Sequence, residues 1–290
     1  MSTGTDAPAP GSAFGSVAAD LRCPTCTTDP LRLDGRRLIC PAGHTFDLAR
    51  QGYANLVTGH DRRHHGDDTR MVAARERFLG AGHYDGLAAA VAARVAEQGP
   101  PGLVVDLAGG TGYYLAAALE ASPGRHGLCV ELSTPALRRA GRAHPRAAAI
   151  GADVWGDLPV RSGAAGVAMS VFGPRNPAEI ERVLAPGGVA VVAVPRPEHL
   201  GELAGPLGLV EVDPRKDERL AVAFRRFACI DSQRVTWRAG LGHDDVLALI
   251  AMGPTARHRS DDELRERIAT LPDPVGVTVA VEISVYRREP

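Results

Sequence analysis

From residue 103 to residue 196 the sequence alternates short apolar runs with helical stretches, and this pattern restricts the fold more than any other feature. "LVVDLAG" (103–109) is a run of buried-strand type, and "YYLAAALEA" (113–121) is helical. "HGLCVELS" (126–133) is a second strand and "PALRRAGRAH" (135–144) a helix. "AAAIGAD" (147–153), "GVAMSVFG" (166–173) and "VAVVAVPR" (189–196) supply three more strands, with the helix "NPAEIERVLAPGG" (176–188) before the last. Strands and helices in alternation predict a doubly wound α/β sheet with a parallel core. The tail reads differently. "RRFACIDSQRVTWRAG" (225–240) and "VGVTVAVEISVYRRE" (275–289) are both strand-like, with the helix "HDDVLALIAMG" (243–253) between them. An antiparallel edge added to the parallel sheet accommodates them.

The first strand runs into D-L-A-G-G-T-G, residues 106–112. Small residues stand at each point where a ligand must meet backbone at the start of a helix. The spacing is not G-x-G-x-x-G, and an acid opens the loop. Asp106 suits a ligand carrying an ammonium and a carboxylate, with Gly110 and Gly112 allowing close approach. Glu131 ends the second strand, where a carboxylate can hold a ribose diol. Asp153 ends the third, near an adenine amino group. Taken in order, these residues describe an S-adenosylmethionine pocket; the alternative is an NAD or FAD site. The candidate cofactor residues are Asp106, Ala108, Gly110, Gly112, Tyr113, Glu131 and Asp153.

Three of the five cysteines fall in "RCPTCTTDPLRLDGRRLICPAGHTF" (22–46). Cys23, Cys26, Cys40 and His44 form C-x2-C-x13-C-x3-H, two short ligand pairs able to close a tetrahedron around one Zn²⁺. Asp34-Gly35 in "LDGR" is expected to supply the positive-φ positions of a hairpin turn between the pairs. Four protein ligands leave no open position, so the metal is expected to be structural. The segment is too short to fold on its few apolar residues alone, and metal binding would supply the missing stability.

The expected organisation is a disordered Ala/Gly/Pro/Ser-rich tail (1–21), a zinc-binding module (22–58), a basic linker and helix (59–83), and the α/β domain (84–290). Within the linker, 59–68 reads as a flexible crossing. The tail lacks the basic and apolar regions of a signal peptide. The 290 residues carry a net charge of -1, so any nucleic-acid site is a local patch. No run of eighteen apolar residues exists, so no membrane span is expected. Three cysteines committed to metal and two isolated ones, Cys129 and Cys229, suit a reducing cytoplasm.

The chain resembles the bacterial 23S rRNA guanine-N1 methyltransferases. The matching stretches are "CPTC…CPAGHTFDLARQGYANL", "DDTRMVAARERFLGAGHYDGL", "DLAGGTGYY", "GPRNPAEIERVLAPGG" and "PRPEHLGEL", which span most of residues 22–205 in the family's order. The resemblance implies a Rossmann-like class I methyltransferase sheet with a zinc ribbon, and methyl transfer to N1 of a guanine in a hairpin loop of 23S rRNA. One branch of the family confers macrolide resistance. Ala108 stands where many members have glycine, and an alanine is accommodated there if its φ is negative. Guanine N1 carries a proton at neutral pH; His199 is a candidate general base. Arg175 and Asn176 are candidate contacts to the target base, with Phe172 and Pro174 packing against it once flipped. Arg62, Arg63, Arg70, Arg75 and Arg77 are candidate phosphate contacts. A homodimer is a further expectation. The alternative function is a small-molecule methyltransferase using the zinc module as a lid.

Overall fold

A computed structural model describes residues 12–58, 64–209, 216–253 and 259–288, with backbone alone at 216–219. Residues 12–21 depart from the expected disordered tail, whose first eleven residues lie outside the described ones. Phe14–Val17 form a helical turn (α1), continued by a 3-10 turn at Ala18–Asp20. Phe14, Val17 and Leu21 are fully buried. Apolar residues at 14, 17 and 21 share one face of that turn, which the surrounding Ala, Gly and Ser conceal in the composition.

Arg32–Asp34 (β1), Arg37–Ile39 (β2) and Thr45–Asp47 (β3) make a small antiparallel sheet. Asp34 pairs with Arg37, so the hairpin loop is Gly35-Arg36, one residue beyond the expected turn. Gly35 supplies its positive φ, +57°.

The main sheet draws on Tyr53–Asn55 (β4), Leu103–Leu107 (β5), Gly127–Glu131 (β6), Ala147–Gly151 (β7), Ala165–Val171 (β8), Leu184–Pro195 (β9), Phe227–Leu241 (β10) and Val275–Arg288 (β11). Its order is β10-β11-β9-β8-β5-β6-β7-β4. Strands β4 through β9 run parallel to one another, and β11 is antiparallel to both β9 and β10. This is a Rossmann-like class I methyltransferase sheet with an antiparallel C-terminal edge. β5, β6 and β7 are buried along their whole length. Helices on both faces take the place of water, so apolar runs replace alternation.

Thr69–Gly80 (α2), Asp85–Gln98 (α3), Tyr113–Glu120 (α4) and His243–Ala251 (α9) pack on one face with Gly201–Leu207 (α7) and Asp261–Ile268 (α10). The zinc segment, α1 and Pro177–Val183 (α6) pack on the other. Thr134–Ala140 (α5) follows β6, and Lys216–Ala223 (α8) precedes β10.

The zinc segment does not stand apart as a module closing at residue 58. Its last strand, β4, hydrogen-bonds β7 at the sheet edge. Leu21 bridges Val160, and Arg22 Nε donates to the Leu158 carbonyl at 3.0 Å. Glu179 ties this junction together. It accepts from Leu158 N–H at 2.7 Å and from both Nε and a terminal nitrogen of Arg182, and lies 3.8 Å from Arg22.

Candidate functional site

Local hairpin geometry delivers the four metal ligands to one point. The ligand atoms of Cys23, Cys26, Cys40 and His44 all lie within 4.8 Å of one another. Cys26 Sγ and Cys40 Sγ are 3.4 Å apart, and Cys23 Sγ is 3.6 Å from His44 Nδ1. A tetrahedral Zn²⁺ with bonds of about 2.0–2.3 Å needs ligand separations of this size. The Ala42 N–H donates to Cys40 Sγ at 3.3 Å, support that a thiolate ligand uses. The donor set fits a structural Zn²⁺ site.

The glycine-rich turn leaves β5 where the sheet order reverses, because β6 lies on one side of β5 and β8 on the other. Such a switch point opens a crevice at the carboxyl ends of the strands. Asp106 is buried beneath the turn, and its Oδ2 has no hydrogen-bond partner. Burial, and then the charge of Glu131, push its carboxyl up to about 8. A Cβ on Gly109 would lie 2.5 Å from Asp106 Oδ2 and 2.8 Å from Cys129 Sγ. Gly109 is therefore the glycine that lets the turn close over the carboxyl, a role the sequence reading did not assign.

Gly110 has φ +57°, and its N–H donates to Glu131 Oε2 at 2.9 Å. Glu131 Oε1 accepts from Leu132 and Ser133 N–H, both at 2.8 Å. Burial raises the Glu131 carboxyl, while these backbone donors oppose that rise. Three acceptor positions are thus filled, which leaves about one of the carboxylate's four.

Ala108 departs from expectation: its φ is +55°, not negative. An alanine there is strained by about 1–2 kcal/mol, and the surrounding sheet and turn hold it. Gly112 (φ +81°) faces Ala143 and Ala140, and Tyr113 donates its hydroxyl to Asp85 at 2.6 Å. Both residues support α4 and neither lines the cleft.

The cleft above the turn has a volume of about 530 Å³. Ala108, Glu131 and Asp153 line it, with Trp155, Phe172, Gly173 and Pro174. Residues 64–67 also line it. His64 Nδ1 lies 2.7 Å from Asp153 Oδ2, and Trp155 N–H donates to Asp153 Oδ1 at 3.0 Å. Ser133 Oγ donates to the Asp67 carbonyl at 2.6 Å. Residues 64–67 thus have defined contacts rather than forming a free crossing. A smaller chamber of about 360 Å³ adjoins the cleft and shares Asp67, Arg75, Tyr84, Phe172 and Met252 with it. His199 opens into this chamber.

The expected base contacts separate. Asn176 caps α6, accepting from Glu179 N–H at 3.4 Å and donating to the Trp155 carbonyl at 3.3 Å. Neither Asn176 nor Arg175 lines the cleft or the smaller chamber. Burial lowers the Arg175 guanidinium. The expected phosphate track also changes. Arg62 and Arg63 lie outside the described residues. Arg70 pairs with Asp261 at 2.5 Å and Arg77 with Asp244 at 2.9 Å. Arg75 turns into the cleft wall, where it pairs with Asp67 at 2.5 Å and donates to the Met252 carbonyl at 3.0 Å. A Cβ on Gly110 would lie 3.3 Å from the Arg75 guanidinium, so this cation stands over the glycine-rich turn. Its pattern on α2 resembled a basic face, and only the packing of α2 on α9 reveals the inward direction.

The family model described as "RlmA, N-terminal", a zinc ribbon, matches residues 21–64. A Streptomyces fradiae protein named 23S rRNA (guanine(748)-N(1))-methyltransferase is 46% identical, over 95% of this chain and 99% of its own length. A provisionally named 23S rRNA (guanine-N(1)-)-methyltransferase of Micromonospora griseorubida is also 46% identical, over 92% of this chain and 97% of its own. One from Bacillus subtilis, also provisionally named, is 28% identical over 91% of this chain and 95% of its own. With such identity over nearly its whole length, and with the zinc ribbon and the class I sheet in place, the chain belongs to the 23S rRNA (guanine-N1)-methyltransferase family.

Proposed function

We propose that this chain is an S-adenosylmethionine-dependent methyltransferase that modifies N1 of a guanine in a hairpin loop of 23S rRNA. The observation that carries the reading is the 46% identity, over 95% of the chain, to the Streptomyces fradiae enzyme. The cleft fits the cofactor on its own chemistry. Asp106 keeps a buried oxygen without a partner behind the turn, and Gly110 holds a backbone conformation with no side chain to obstruct approach. Glu131 and Asp153 offer carboxylates along the cleft for ribose hydroxyls and an adenine amino group. Arg75, beside Gly110, offers a cation to a carboxylate. When bound, S-adenosylmethionine supplies an electrophilic methyl group on its sulfonium. The chain's residues bind and orient it, with Trp155, Phe172 and Pro174 supplying apolar lining. The zinc centre holds the N-terminal hairpins, which lead into β4 at the edge of the main sheet, and a loop base can be splayed out of its stack at little cost.

Primer extension on 23S rRNA from cells with and without the gene tests the proposal. One methylation-dependent stop at a guanine is expected. Methyl transfer to a macrolide or another small acceptor, with no such stop, would overturn it. Macrolide susceptibility of the same two strains tests membership of the resistance branch.

A further inference from the structure

The zinc segment meets the cofactor cleft at one loop. Ala152, Asp153, Val154 and Trp155 line the cleft, and they open the connection from β7 to β8. The zinc segment holds this connection at two points. Near its start, Leu56 N–H donates to the carbonyl of Gly151, the last residue of β7, at 2.9 Å. Farther on, Arg22 Nε donates to the Leu158 carbonyl at 3.0 Å and Arg22 N–H to the Pro159 carbonyl at 3.2 Å, while Leu21 bridges Val160. The α/β domain braces both points as well. Ala152 N–H donates to the Glu131 carbonyl at 3.2 Å, and Arg182 shares the Leu158 carbonyl at 3.0 Å. Losing the N-terminal contacts therefore loosens the loop without unfolding the sheet.

Both clamps reach the metal ligands by short paths. Arg22 directly precedes Cys23. Arg36 lies in the hairpin between the two ligand pairs. It donates a terminal nitrogen to the Leu48 carbonyl at 3.2 Å and to the Ala49 carbonyl at 2.6 Å, and its own carbonyl accepts from Leu48 N–H at 2.9 Å. Leu48 in turn bridges Ala54 of β4, two residues before Leu56. Three-residue strands with few apolar residues keep one arrangement only when a metal ties them. A loop released from its clamps presents Asp153 and Trp155 in place for part of the time, and apparent ligand affinity falls by that fraction.

We propose that the zinc segment is part of the cofactor site: it fixes the loop that carries Asp153 and Trp155, so zinc occupancy and S-adenosylmethionine affinity are coupled. The inference rests on the cleft being the cofactor site. Arg22 and Leu56 are its positioning residues. Coupling of this kind is reciprocal, so the cofactor raises zinc affinity by the factor by which zinc raises cofactor affinity.

Competition for zinc between the unmodified protein and a chromogenic chelator, in dilute solution with and without saturating S-adenosylhomocysteine, tests this. S-adenosylhomocysteine should raise the apparent zinc affinity roughly 5- to 30-fold. Far-ultraviolet circular dichroism of the zinc-free protein should show the main sheet intact, so that the factor reads the loop. Arg22→Leu gives a second reading, because it keeps all four metal ligands and removes the Nε donor to the Leu158 carbonyl. It should retain one Zn²⁺ per chain and bind S-adenosylhomocysteine roughly 3- to 10-fold more weakly in calorimetry. A zinc affinity indifferent to S-adenosylhomocysteine overturns the proposal, as does wild-type S-adenosylhomocysteine affinity in Arg22→Leu. Loss of the main sheet on chelation also overturns it, since the coupling would then be one of global folding. Wild-type protein that binds no S-adenosylhomocysteine at all overturns the reading of the cleft instead, so the two failures are distinguishable.

Discussion

Replacing Asp106 with asparagine removes an ionisable group from a place that disfavours its charge. The carboxyl is buried, one oxygen has no partner, and Glu131 adds a second negative charge nearby. Its pKa is pushed up to about 8 in the folded chain, against about 3.9 in the unfolded one. A carboxyl raised on folding contributes stability that is fully present below the unfolded value and is lost as pH rises through the folded one. The window is therefore about pH 4 to pH 8. At about 1.4 kcal/mol per unit, wild type should lose roughly 3–4 kcal/mol relative to Asp106→Asn between pH 5 and pH 8. Urea unfolding of both proteins at those two values, followed by far-ultraviolet circular dichroism, measures it. Other titrating groups largely cancel in the difference between the variants. Parallel profiles would mean that Asp106 is ionised in the ligand-free protein at neutral pH, and the reasoning would fail.

Cys40→Ser should abolish tight zinc binding, read by elemental analysis against one Zn²⁺ per chain in wild type; a preparation of wild type without zinc would count against the centre. Glu131→Ala should weaken S-adenosylhomocysteine binding by roughly 1–3 kcal/mol in calorimetry, the cost of losing a charged acceptor, and unchanged affinity would mean the cofactor lies elsewhere. Phe14→Ala should cost about 3–5 kcal/mol in urea unfolding, since the ring is fully buried under the sheet, and an unmoved midpoint would return this segment to a dispensable tail.

Local signals were legible in the sequence and long-range ones were not. The zinc ligands lie in short pairs on one hairpin, so spacing alone locates them. The central strands are buried on both faces, which writes burial directly into composition. β4 leaves no such mark, because three residues in a polar setting become a strand only when β7 stands beside them. Ala108 reads as an ordinary small residue, and its positive φ comes from the closure of the turn. Asn176 carried a readable sign: Asn-Pro followed by an acid at the third position is a helix start, and the side chain is spent on the cap. Arg75 carried none, because a long side chain on α2 can face solvent or turn inward under α9.

The three-residue strand β4 also has a consequence for solution behaviour. It covers the flank of β7, whose sequence Ala-Ala-Ala-Ile-Gly is apolar and carries no charge. Uncovered, such a flank is a template for pairing with another chain. At the opposite margin β10 presents Arg234 and Arg238 among its outward residues, which discourage pairing. The metal-dependent hairpins lead directly into β4, so chelation removes the cover from the unprotected margin alone. Zinc-stripped protein is then expected to form intermolecular β-structure through β7, with light scattering rising before the main sheet unfolds.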